Sequence, residues 1–188
     1  MRLLDPVGLV AADGLMSGAR FVPSPNCDER PEGEEISLIV VHAISLPPGE
    51  FGGDAIERLF TNRLDPAAHA YYRDIHELRV SAHFLIARDG ALTQFVACHR
   101  RAWHAGHSLW RGRERCNDFS IGIELEGCDE RPFEDIQYRI LALTIRALQQ
   151  RYAIQEVVGH QDVAPGRKTD PGSHFDWTRL DRCLSAEA

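Results

Sequence analysis

The chain has 188 residues, 44% hydrophobic and 26% charged, a composition that excludes disordered and fibrous classes and fits a single folded domain. Lysine and arginine number 21 against 28 aspartates and glutamates, a formal charge of −7, so the broad basic face of a nucleic-acid binder is not expected. Apolar runs such as Leu38–Val41 are far shorter than the roughly 20 residues that cross a bilayer, so a membrane is not an expected partner either.

Residues 1–35 read as mostly irregular, with 1–20 an irregular N-terminal segment and Pro23, Pro25, Asn26 and Pro31 as punctuation. Asp5 and Asp13 interrupt the apolar start, which therefore does not read as a secretory signal. Ser37-Leu-Ile-Val-Val-His42 is a β-branched run that predicts a buried central strand ending in a histidine. The Pro- and Gly-rich stretch 45–53 predicts a loop whose Gly49, Gly52 and Gly53 permit hinge motion. Asp54 then reads as the N-cap of a helix that buries Ile56, Leu59 and Phe60. His83–Ala87 and Leu92–Val96 flank Arg88-Asp89-Gly90, which predicts a hairpin.

In Phe119–Leu125 the alternation sends Ile121, Ile123 and Leu125 to one face and Gly122, Glu124 and Glu126 to the other. A long helix is expected over Phe133–Tyr152, on the stripe Ile136, Ile140, Leu141, Ile145 and Leu148. A short strand over Gln155–His160 also ends in a histidine. A polar loop then runs to about Phe175, and Asp176 is placed to cap a last helix, Trp177–Leu184. Strands separated by unevenly spaced helices, with one hairpin, predict an α/β fold: a single domain over 1–188 with a mixed β-sheet flanked by helices.

Nine histidines are present, and His42 and His160 stand out because each ends a predicted strand, where sites in α/β sheets gather. Asp170 follows His160 by ten residues, and two imidazoles with one carboxylate suit Zn²⁺ while leaving a position open for water. The plainer alternative is that Asp170 caps a turn. Glu124, a carboxylate inside an apolar strand, needs a reason: a general base beside a metal, or a buried ion pair to Arg111, Arg113 or Arg115. Lys168 must lie close to any ion that Asp170 holds, where its charge would stabilise an oxyanion; otherwise it is a solvated loop residue. Trp103 reads either as a stacking surface for a sugar or peptide or as core. Arg79, Arg115 and Arg167 are candidates for holding a substrate carboxylate. Five cysteines without C-x-x-C spacing argue against a disulfide framework, a Cys₄ zinc site or a cysteine nucleophile, and favour the cytoplasm.

These pieces lie within longer motifs: Val40-Val41-His42, Ser45-Leu-Pro-Pro-Gly49, Val80–Ile86, Arg101-Ala-Trp-His-Ala-Gly106, Gly112–Gly127 and Gly159–Gly172. In order and over nearly the whole chain, they resemble the zinc amidase family that also includes phage-type lysozyme amidases and peptidoglycan-recognition proteins. The likeness is greatest to its cytoplasmic branch, which acts on 1,6-anhydro sugar fragments recovered in cell-wall recycling. The resemblance implies zinc in a surface groove on His42, His160 and Asp170, with Glu124 as catalytic carboxylate and Lys168 as oxyanion stabiliser. It implies cleavage of the amide between the lactyl group of muramic acid and L-alanine, an anhydro-muropeptide as partner, and a monomer. Arg79, Arg115 and Ala164 are carried over as substrate contacts, and Trp103 as a groove residue near the sugar. Two residues depart from the pattern: Ala43 where the family carries asparagine, and His107 where it carries a small apolar residue. A non-catalytic peptidoglycan-binding module and an amidase of the intact wall are the alternatives.

Overall fold

The strand grown from the β-branched run, Leu38–Ile44, pairs along all seven residues on one side and along Leu38–Val41 on the other, and that pairing organises the rest of the chain. The computed structural model describes residues 7–186. Its strands are β1 (Arg20–Phe21), β2 (Cys27–Glu29), β3 (Leu38–Ile44), β4 (Phe84–Ile86), β5 (Leu92–Gln94), β6 (Arg100–Ala102), β7 (Leu109–Trp110), β8 (Arg113–Glu114), β9 (Ser120–Glu126) and β10 (Glu156–Gly159). The α-helices are α1 (Ala55–Phe60), α2 (Tyr72–Ile75), α3 (Asp135–Arg151), α4 (His160–Val163) and α5 (Trp177–Ser185).

The main sheet has six strands in the order β1-β5-β4-β9-β3-β10. The β4–β5 pair is antiparallel, and the remaining neighbours are parallel. The mixed α/β architecture is therefore as expected. Two small ribbons, β2–β6 and β7–β8, stand apart from it; their strands of two or three residues are too short for alternation to reveal. Strand β3 continues past His42, because pairing with β9 extends through Ala43↔Leu125 and Ile44↔Glu126. The N-terminal stretch is less irregular than its prolines imply: β1 adds an edge strand, and Val10 bridges Met16. Residues 1–6 of the expected irregular segment lie outside the described residues.

The turn at Arg88–Gly90 closes the hairpin, with Gly90 at a φ of 86° and so close to Ile136 that a Cβ would lie 2.5 Å from its Cγ1. Asp54 precedes α1 but makes no capping bond; its carboxylate is drawn to Arg58 instead, at 2.8 Å. Asp176 does cap α5, accepting from the Arg179 N–H at 2.9 Å.

One face of the sheet is apolar. Ile39, Val41, Ile121, Ile123 and Leu125 pack there against Leu141, Ile145 and Leu148 of α3. Burial of each such side chain contributes about 1.5–3 kcal/mol. Gln137, fully buried in α3, is satisfied throughout. Its Nε2 donates to the carbonyls of Ile86 (3.2 Å) and Glu126 (3.0 Å), and its Oε1 accepts from Glu134 N–H (3.0 Å). The helix is thereby fastened to the ends of β4 and β9. The opposite face carries two smaller clusters, one around Phe60 and Phe95 and one around Val40, Phe119 and Val163. Between them the sheet presents its polar residues. The 45–53 loop is tied down at its tip. Gly52 N–H donates to buried Glu126 at 2.5 Å, and Phe51 lies beneath the guanidinium of Arg88, 4.4 Å from the ring centre.

Candidate metal centre

His42 in β3 lies in register with Glu124 in β9, so strand pairing alone sets an imidazole beside a carboxyl on one face. His160 arrives from the next strand over: β10 pairs with β3 up to Gly159↔Val41, and the chain then turns into α4. Asp170 returns on the loop after α4, and its carbonyl accepts from Gln161 N–H at 2.9 Å. His42 Nδ1 and His160 Nδ1 are 2.9 Å apart, and Asp170 Oδ2 is 3.2 Å from the first and 3.0 Å from the second.

The chemistry of this donor set fits a cation. His160 Nε2 faces the carbonyl of Ala105 at 3.2 Å, and a carbonyl only accepts, so Nε2 carries a proton and Nδ1 is the nitrogen left to offer its lone pair. Burial holds the His42 imidazole down at about 4, against the opposing pull of Asp170, so this ring is neutral near pH 7. Asp170 turns Oδ2 toward both Nδ1 atoms, so a carboxylate oxygen faces two ring nitrogens that carry no proton to share with it. Lone pairs therefore converge where a positive ion satisfies them together. Among the described residues this is the one such group of histidine, cysteine and acidic side chains.

Glu124 lies beside it, 8% exposed, with Oε2 buried and without a partner. None of the three arginines that offered a structural explanation reaches it. Arg111 pairs with Glu156 at 2.6 Å, Arg113 with Glu34, and Arg115 with Asp118 at 3.1 Å. Burial, and then the charge of Asp170, push the Glu124 carboxyl well above its ordinary range, while Lys168 opposes them. A cation on the neighbouring donors cancels the Asp170 repulsion and returns the group toward its ionised form. Lys168 is exposed on the rim, on a turn held by the Ala164 carbonyl, which accepts from both Arg167 N–H and Lys168 N–H at 3.1 Å. The groove over these groups has a volume of about 550 Å³, of the size that takes a small ligand. Tyr71, Ile75 and Leu78 form an apolar wall, and Trp103 lines it beside His104.

A model of the N-acetylmuramoyl-L-alanine amidase family matches residues 32–173. The chain belongs to that family. It is 54% identical over 181 residues to the 1,6-anhydro-N-acetylmuramyl-L-alanine amidase AmpD of Escherichia coli strain K12, covering 95% of this chain and 99% of that protein. A crystal structure of a selenomethionine derivative of AmpD superposes with a TM-score of 0.91 at 55% identity, covering 94% of this chain and all of that one. The amidase AmiD of E. coli, solved with anhydro-N-acetylmuramic acid-L-Ala-D-γ-Glu-L-Lys, matches with a TM-score of 0.58 at 28% identity, over 94% of this chain and 65% of that one.

Within the amidase fold, His42, His160, Asp170, Glu124, Lys168, Trp103 and Arg167 all line one groove. The other three sequence-derived contacts do not. Arg79 bends back on its own turn, donating to the Glu77 carbonyl at 3.0 Å. Arg115, at a φ of 57°, leans toward Asp118 with its side chain 75% exposed. Ala164 is buried, and its visible work is the carbonyl that shapes the Lys168 turn. Trp103 is half-buried, its indole N–H given to Asp28 at 3.0 Å. Sequence reasoning passed over Tyr71 and His104. The one available cue to His104 was Gly122: a glycine inside a strand marks a close approach.

Proposed function

We propose that this chain is a zinc-dependent amidase that cleaves the lactyl–L-alanine amide of 1,6-anhydro-N-acetylmuramyl peptides, acting as a cytoplasmic monomer on soluble fragments from cell-wall recycling. The observation that carries this reading is the convergence of His42 Nδ1, His160 Nδ1 and Asp170 Oδ2 beside a buried carboxyl that has no other employment. The relatives' names supply the substrate class, and the five free cysteines favour a reducing compartment.

When bound by His42, His160 and Asp170, zinc supplies Lewis-acid polarisation of the scissile carbonyl and acidifies a water. Glu124 takes the proton from the attacking water as its oxygen bonds the carbonyl carbon. As the C–N bond breaks, Glu124 delivers that proton to the leaving nitrogen of L-alanine. The Lys168 ammonium stabilises the oxygen on which negative charge develops. Trp103 offers a face for the sugar on the groove wall. Arg79 and Arg115, long and exposed, serve the stem-peptide carboxylates by swinging in from outside the wall.

Mass spectrometry of an anhydro-muropeptide incubated with the protein tests this. Free stem peptide and free anhydro-sugar are expected, and a chelator abolishes both. Unchanged muropeptide with a zinc-loaded protein refutes the reading in favour of a binding module. Preferential release from intact sacculi refutes the assignment to soluble fragments.

A further inference from the structure

A half-buried imidazole that belongs to none of these roles backs the site. His104 Nδ1 lies 2.9 Å from His42 Nε2, and His104 Nε2 lies 3.2 Å from Ser120 Oγ. The next residue does the equivalent for the other ring, since the Ala105 carbonyl receives His160 Nε2 at 3.2 Å. The backbone N–H groups of His104 and Ala105 both donate to Asn117 Oδ1, at 3.2 and 2.8 Å, and Arg167 Nη2 braces the Ala105 carbonyl at 2.7 Å. Two consecutive residues, clamped from the 117 and 167 segments, thus hold the outer nitrogen of each inward-facing imidazole.

Space for this is made on β9. A Cβ at position 122 would lie 2.4 Å from the His104 ring, so only glycine lets the imidazole rest on the strand. A neutral imidazole has one nitrogen that donates and one that accepts, so the partner of one nitrogen sets the role of the other. If Ser120 takes the Nε2 proton, Nδ1 is left to accept from His42 Nε2–H. That fixes the His42 tautomer with a bare Nδ1 turned inward, matching the state the Ala105 carbonyl imposes on His160.

We propose that His104, acting with the Ala105 carbonyl, is a positioning residue that sets the tautomer and ring orientation of the two imidazole ligands. This rests on reading His42, His160 and Asp170 as metal ligands. Partners of ligating histidines that receive the far N–H raise metal affinity by about 10- to 100-fold.

Zinc affinity, measured by competition with a chromogenic chelator, tests the proposal on the parent, His104→Leu and His104→Asn, with thermal melts of the metal-free proteins alongside. An asparagine oxygen reaches the place of Nδ1 and accepts; leucine does not. The leucine variant is expected to bind zinc about 10- to 100-fold more weakly, and the asparagine variant to recover most of that loss. Parental affinity in the leucine variant overturns the proposal, as does an equal loss in both. Where the leucine variant fails to fold, nitrogen NMR of the zinc-loaded parent decides: a bare His104 Nδ1 with a protonated Nε2 supports the proposal, and a proton on Nδ1 overturns it. A parent that takes up no zinc overturns the metal reading together with the inference, whereas zinc in the parent and no response to leucine overturns the inference alone.

Discussion

Replacing Glu124 by glutamine separates a working carboxyl from a structural one. The two side chains are nearly equal in volume, so no cavity opens. The carboxyl makes no ion pair that the change would break, and its Oε2 is already buried without a partner. One unsatisfied polar atom is exchanged for another, and the net change in stability is expected to stay within about 1 kcal/mol. In a domain of this size that moves Tm by roughly 2–4 °C at most. Activity should respond on a different scale. A positioned general base contributes about 10²–10⁴ in rate, or roughly 2.7–5.5 kcal/mol of barrier. The proton moves only in the transition state, so kcat and kcat/KM should fall together while KM holds. The assay is release of stem peptide from an anhydro-muropeptide, with zinc content and a thermal melt measured on the same preparation. A variant with full zinc and undiminished kcat would remove Glu124 from the chemistry, and a variant that lost its zinc would place the residue among the ligands instead.

Asp170→Ala removes one of the converging donors and should lower zinc occupancy along with activity, while Glu124→Gln leaves occupancy intact; elemental analysis of the two variants makes the comparison. Ala43 lines the groove on the His42 strand, and Ala43→Asn restores a side chain able to hydrogen-bond substrate. One such bond contributes about 0.5–1.5 kcal/mol, so kcat/KM should rise roughly two- to tenfold with zinc content unchanged; an unaltered kcat/KM removes position 43 from recognition. Asp28 is held below the usual aspartate range, chiefly by the Arg101 guanidinium and also by the Trp103 indole N–H. Its folded-state pKa is depressed, so its contribution to stability is present above the ordinary aspartate value and is lost as pH falls through the depressed one. The Trp103 indole resonance should therefore titrate below the normal aspartate range, and a midpoint at or above that range would show the Asp28 contact to be absent in solution.

Much of the frame was legible because it depends on local periodicity. The alternation in Ser120–Glu126 put Ile121, Ile123 and Leu125 on the α3 face and Glu124 on the other, and the stripe of α3 was readable for the same reason. Glycine and aspartate at turns and caps marked the hairpin and α5, since their conformational preferences are properties of single residues. The motifs carried His42, His160 and Asp170 as a set. Periodicity could not deliver register, and register is what brings His42 level with Glu124 and sets β10 beside β3. It could not show whether Glu124 met an arginine, because Arg111, Arg113 and Arg115 are sequence neighbours whose partners come from Glu156, Glu34 and Asp118. Nor could it show that Arg79 and Arg115 stand outside the groove wall, or that His104 backs His42 across a glycine. Those facts join residues as far apart as 62 and 118 positions along the chain. A hydrogen bond over such a separation is decided by how sheet and loops pack, whereas faces, caps and turns are decided by the few residues on either side.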